Sequence, residues 1–246
     1  MYDGTLHFAC HLFGFIMPAF SMPGTSASIT NIHIHIHDNK LNFSCNIKSK
    51  TVAIEESILN ECMCTCKKIS TNLAFEREVI IGELEYLGGE IINGAEIYRA
   101  VSLTLPHLEV AGTMTTIIDE NASTTLRDFI TRNYELTNIV IILYTKIFNI
   151  NDIMSKFMML YHILLILNDD KQNYVDLCIK KIAPATKLFE SPRGSGKSET
   201  LYTKLRNEIA HYRKEVDIRS TINQLEDIIP DFTKIVRQAI LDSLPN

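Results

Sequence analysis

The chain has 246 residues, 46% of them hydrophobic and 22% charged, with a formal net charge of −5. That is a globular composition on a chain long enough for two domains. The acidic balance sits in residues 1–110, which carry 7 basic and 12 acidic side chains, and so excludes that half as an obvious nucleic-acid surface. Residues 111–246 carry 17 of each sign, with a local basic excess of 8 to 5 over residues 187–219. The six cysteines, Cys10, Cys45, Cys62, Cys64, Cys66 and Cys178, follow no signal-peptide pattern. We therefore expect reduced thiols and a cytoplasmic protein. The longest apolar run, residues 157–167, contains His162 and is too short to span a bilayer.

In chain order, residues 5–17 are apolar and end at Pro18. Residues 29–37 alternate strictly, with Ile32, Ile34 and Ile36 on one side and His33, His35 and His37 on the other. Period two is the mark of a half-buried strand. Asp38-Asn39-Lys40 then predicts a turn, and residues 41–48 a hairpin partner. Residues 55–74 fit either helix or extended chain. Residues 76–87 look strand-like, Gly88-Gly89 predicts a turn, and residues 90–105 a strand pair broken at Asn93-Gly94 and ended by Pro106. This half reads as an antiparallel sheet or small sandwich with one short helix.

Residues 111–120 form a connector, and helices follow. Asn121 or Ser123 can cap a helix burying Leu126, Phe129, Ile130, Ile139, Leu143 and Ile147. Asn151 or Asp152 caps the next, with Ile153, Phe157, Leu160, Tyr161 and Leu164 inward. A shorter helix over residues 171–182 stops before Pro184, and a polar loop covers residues 184–198. The last helix, residues 218–241, buries Ile222, Leu225, Ile229, Phe232, Val236 and Ile240, with a kink expected at Pro230. The expectation is an α+β protein: an antiparallel β-rich domain over 1–112, then an all-α, up-and-down bundle over 113–246.

The stretch over residues 200–212 is the most informative. Leu201, Leu205, Ile209 and Tyr212 form an apolar stripe at helical spacing. Asn207 and His211 are four apart, on one face of such a helix. Arg206 lies roughly 140° around the helix from His211. One helix cannot aim both at a single atom, whereas two copies across a two-fold axis can. This stretch resembles the signature of the HEPN superfamily of small helical ribonucleases: an arginine, a polar residue, three further residues and a histidine. Glu199, Thr200 and the Leu205-Arg206-Asn207 run add to the resemblance, which covers roughly residues 120–244. It implies a HEPN-like bundle acting as a homodimeric, metal-independent endoribonuclease without a cofactor, in phage defence or toxin-type growth arrest. Arg206, His211 and Asn207 would be its catalytic residues, and Arg193, Lys197, Lys204 and Arg213 would touch RNA. His211 can move a proton near neutral pH, and the Arg206 guanidinium can hold a phosphate through two hydrogen bonds. In HEPN toxins inhibited by nucleotidylation the modified tyrosine lies two places after the histidine. Here that place holds Arg213, and Tyr212 continues the apolar stripe. The N-terminal domain would sense a trigger or bind a regulatory protein. The alternative is a non-catalytic HEPN-fold adaptor for RNA or protein.

Other motifs point less far. Gly194-Ser195-Gly196-Lys197-Ser198 imitates the end of a phosphate-binding loop, but the required glycine would stand at Ser191, after a helix rather than a strand. A flexible basic loop is the better reading. Two of the three strand histidines could share an ion, yet only Asp38 is near in sequence, so an exposed polar face is expected. Cys62, Cys64 and Cys66 lack the spacing of paired zinc knuckles, and a His/Cys site assembled in space stays open.

Overall fold

The computed structural model describes residues 1–12, 14–101, 116–117, 120–133, 139–191, 196–211 and 217–244. The chain divides into two compact units, residues 1–137 and 138–246. The first holds strands β1 (Tyr2–His11), β2 (Phe15–Ile16), β3 (Phe20–Pro23), β4 (Ile29–His37) and β5 (Lys40–Ser49). Helix α1 (Glu56–Arg77), strands β6 (Glu85–Asn93), β7 (Glu96–Val101) and β8 (Thr116–Ile117), and helix α2 (Glu120–Asn133) complete it. Six strands form one sheet in the order β3-β4-β5-β1-β6-β7, with every neighbouring pair antiparallel. Strands β2 and β8 make a separate short parallel pair.

Local chemistry explains the expected hairpin. Asp38 and Asn39 adopt φ of 51° and 56°, left-handed values that these two residue types tolerate. The turn fixes the register, with Ile34 opposite Phe43 and Ile32 opposite Cys45. One sheet face therefore buries Leu6, Phe8, Ile32, Ile34, Phe43, Cys45 and Ile47. Helix α1 covers it with Ile58, Cys62, Cys66, Ile69 and Leu73, an apolar stripe at three- and four-residue spacing. The segment the sequence left open between helix and extended chain is thus a helix. It ends where Glu78 turns left-handed at φ 52° and the Val79 amide donates back to the Ala74 carbonyl at 3.3 Å.

Two expectations for this half are corrected. Residues 76–87 are not one strand, because α1 runs to Arg77 and β6 begins only at Glu85. Gly88 and Gly89 are not a turn but lie inside β6, hydrogen-bonded between β1 and β7. A Cβ on Gly88 would stand 2.6 Å from the Ala100 carbonyl oxygen, and one on Gly89 would stand 2.8 Å from that of Thr5. The pair is glycine because the neighbouring backbones pass too close for side chains. The expected break at Asn93-Gly94 does form the β6–β7 turn. Helix α2 starts at Glu120, ahead of both expected caps. Its Leu126 and Ile130 join the core under the sheet, so the first unit extends past the boundary at 112 read from the sequence.

The second unit is mostly helical: α3 (Ile139–Ile147), α4 (Ile153–Leu167), α5 (Gln172–Ile182), α6 (Leu201–Ala210) and α7 (Ile218–Ser243). Asp152 caps α4, accepting from the Ser155 amide at 2.7 Å. The loop expected over 184–198 carries a small antiparallel ribbon of β9 (Leu188–Glu190) and β10 (Ser198–Thr200). Helices α4, α6 and α7 meet at Phe232. Its ring lies 5.1 Å from that of Phe157 and stacks on Tyr202 at 4.4 Å and 12°. Helix α7 continues through Pro230, which is exposed. Among the described residues no helix is long and apolar enough to cross a membrane.

Candidate functional site

Helix α6 is held at its start by two threonines and an aspartate. Thr200 is the N-cap, and its hydroxyl accepts from the Thr203 amide at 3.3 Å. Asp176 of α5 accepts from the Thr200 amide at 2.9 Å and from the Thr203 hydroxyl at 2.7 Å. A carboxylate at this end also suits the helix dipole. With its one proton committed to Asp176, Thr203 receives the Tyr161 hydroxyl of α4 at 2.8 Å. Burial pushes the Tyr161 phenol above its usual range.

One turn on, a second buried network surrounds Asn207, which is 2% exposed. Its amide oxygen receives the Gln172 side-chain amide of α5 and the Arg206 guanidinium, each at 3.1 Å. Its amide nitrogen donates to the Glu199 carboxylate of β10 at 3.2 Å. Glu199 is 4% exposed and also receives the Ser191 hydroxyl at 3.2 Å. Two donors on one end and a carboxylate on the other leave a single orientation for this amide. The guanidinium carbon of Arg206 lies 5.8 Å above the Tyr161 ring. Its Nε is shielded and, among the described residues, has no hydrogen-bond partner.

Helix α6 stops at Ala210, two residues before the expected end. His211 is the C-cap, in an extended conformation at φ −128° and ψ 113°, and is exposed. Its amide donates to the Asn207 carbonyl at 3.1 Å. The expected stacking of Asn207 and His211 side chains on one helix face is therefore not what the backbone gives. Asn207 serves both neighbours differently: its side chain anchors Arg206, and its main chain anchors His211. Of the stripe, Leu205 is fully buried and Leu201 and Ile209 are half-buried; Tyr212 lies outside the described residues.

The expected RNA contacts are placed unevenly. Lys197 is exposed at the entry to β10. The Lys204 ammonium pairs with Glu208 at 3.3 Å and sits 4.9 Å from the centre of the Phe189 ring. Arg193 and Arg213 lie outside the described residues. Sequence reasoning missed Gln172, Asp176 and Thr203, and read Tyr161 only as an inward-facing helix residue. Gln172 and Asp176 sit one helical turn apart on α5, a spacing that signals a shared face but names no partner.

On the polar face of the first unit, His33 bonds Ser21 at 3.0 Å and His7 bonds Ser44 at 3.1 Å. The rings of His33 and His35 stack at 5.6 Å. In the core, the sulfurs of Cys45 and Cys66 approach to 3.5 Å, and a hydrogen bond to Cys45, together with burial, pushes the Cys62 thiol well up. Among the described residues, no three histidine, cysteine or carboxylate side chains are arranged to hold an ion. The chain matches no protein-family model, no curated protein and no solved structure.

Proposed function

We propose that the C-terminal half is a metal-independent endoribonuclease of the HEPN type, working as a homodimer on RNA in the cytoplasm. The observation that carries this reading is the partly exposed Arg206 guanidinium, oriented by Asn207, five residues from an exposed histidine. Such a guanidinium can accept a phosphodiester and stabilise the charge that develops on it. His211, free of the helix, takes the proton of a ribose 2′-hydroxyl or supplies one to the departing 5′-oxygen. The 2′-oxygen attacks phosphorus, the bond to the 5′-oxygen breaks, and the products are a 2′,3′-cyclic phosphate and a 5′-hydroxyl. Two protomers would bring paired arginines and histidines to one cleft. Lys197, Arg193 and Arg213 would add backbone contacts to the RNA. Lys204, already paired with Glu208, would add less. The setting is phage defence or growth arrest, with the N-terminal unit as sensor or restraint.

The engagement of Asn207 and Lys204 within the fold favours one rival, a non-catalytic adaptor for RNA or protein. The full chain and its His211→Ala variant, each given single-stranded RNA, separate the two. The enzyme reading expects at least about a hundredfold loss of cleavage in the variant, the scale of a removed general acid or base. Equal cleavage contradicts the enzyme reading at His211, and no cleavage by either protein supports the adaptor instead.

A further inference from the structure

We propose that Glu199 is a positioning residue for Arg206, acting through the Asn207 amide. The inference rests on the ribonuclease reading only for its kinetic consequence. Glu199 is buried, and its described partners are a hydroxyl and an amide, Ser191 and Asn207, rather than a cation. Such a carboxylate is costly to desolvate unless opposite charge is near. Among the described residues, the cation joined to its hydrogen-bond network is Arg206, one amide away.

The three groups form a polar relay. The Asn207 N–H end meets the anion and its C=O end meets the cation. Reversing that amide would set C=O against carboxylate and NH2 against guanidinium. Both contacts would then be repulsive, so Glu199 fixes which end of Asn207 faces Arg206. Gln172 fills the second acceptor direction of the amide oxygen. Ser191 fixes the carboxylate, and its own amide donates to the Lys197 carbonyl at 2.8 Å, closing the ribbon that carries Glu199. Arg206 is thereby held by Nη1 and the Tyr161 ring, with its Nε shielded, while the side chain as a whole stays partly exposed. Glu199 touches no substrate in this scheme.

The test exchanges the two ends of the relay. Glu199→Gln is isosteric but loses the anion. Asn207→Asp places two carboxylates against each other. The double variant restores a bond from a glutamine amide to an aspartate, and sets that aspartate directly on Arg206. We expect each single variant to lower kcat by about tenfold with KM little changed, and the double variant to recover most of the loss. A parallel NMR measurement follows the Arg206 Nε–H resonance, identified by its loss in Arg206→Lys. It should shift in the single variants and return towards its original position in the double variant. A silent Glu199→Gln, or a double variant as impaired as the worse single one, overturns the proposal. If Asn207→Asp alone does not fold, Glu199→Gln and the double variant still decide. If the wild type cuts no RNA, the ribonuclease reading fails while the NMR comparison still judges the relay.

Discussion

Asn207 shows how much one side chain can carry. Three elements, α5, β10 and α6, converge on its amide, and no apolar residue of that size could satisfy Gln172, Glu199 and Arg206 together. His35 offers a second test at this scale. Its partial burial, then its neighbours His33, His37 and His7, hold its pKa below the ordinary 6.5. The unfolded chain therefore takes up this proton at higher pH than the folded one. As pH falls through about 6.5 the unfolded state binds more protons, so the contribution of His35 to stability is lost going down and is present above that window. Denaturant midpoints should fall between about pH 7.5 and pH 5, and His35→Gln should reduce the slope. An unchanged slope in that variant would show that the ring carries none of the effect. The mutual placement of these histidines was legible from strict alternation, since period two puts residues 33, 35 and 37 on one face. The network around Asn207 was not legible, because a helical repeat marks where apolar groups go and says nothing of which polar groups are buried together.

At the level of elements, the β4–β5 hairpin was readable because local chemistry and hydrophobic pattern agree there. Asp38 and Asn39 suit the turn, and the isoleucines suit the face. Helix α1 was obscured by its cysteines. Counted as small hydrophobes, Cys62 and Cys66 complete the stripe of Ile58, Ile69 and Leu73. Counted as candidate ligands, they break it. The end of α6 was misjudged because the stripe continues in sequence through Tyr212, although the backbone leaves the helix at His211. Gly88-Gly89 misled for the opposite reason: a common turn dipeptide here permits close approach of strands. Gly88 holds φ at 137°, where an L side chain is strained, and its added Cβ would meet the Ala100 carbonyl. Strain and overpacking together should make Gly88→Ala cost about 2–4 kcal/mol in the transition that melts the sheet. A urea midpoint within experimental error of wild type would contradict the β6–β7 register.

For the whole molecule, the division of labour is between a sheet unit whose polar face carries a histidine cluster and a helical unit that organises Arg206 and His211. The coarse architecture, strands first and helices after, followed from the change in hydrophobic period along the chain. The boundary did not, because α2 is helical yet packs under the sheet. Chemistry at the second unit is the central claim, and the ends left on cut RNA test it most directly. The full-length protein is incubated with single-stranded RNA in excess chelator, and the fragments are analysed by mass spectrometry. The account predicts fragments with 2′,3′-cyclic phosphate and 5′-hydroxyl ends, absent with His211→Ala. Uncut RNA, or fragments bearing 3′-hydroxyl and 5′-phosphate ends, would contradict it.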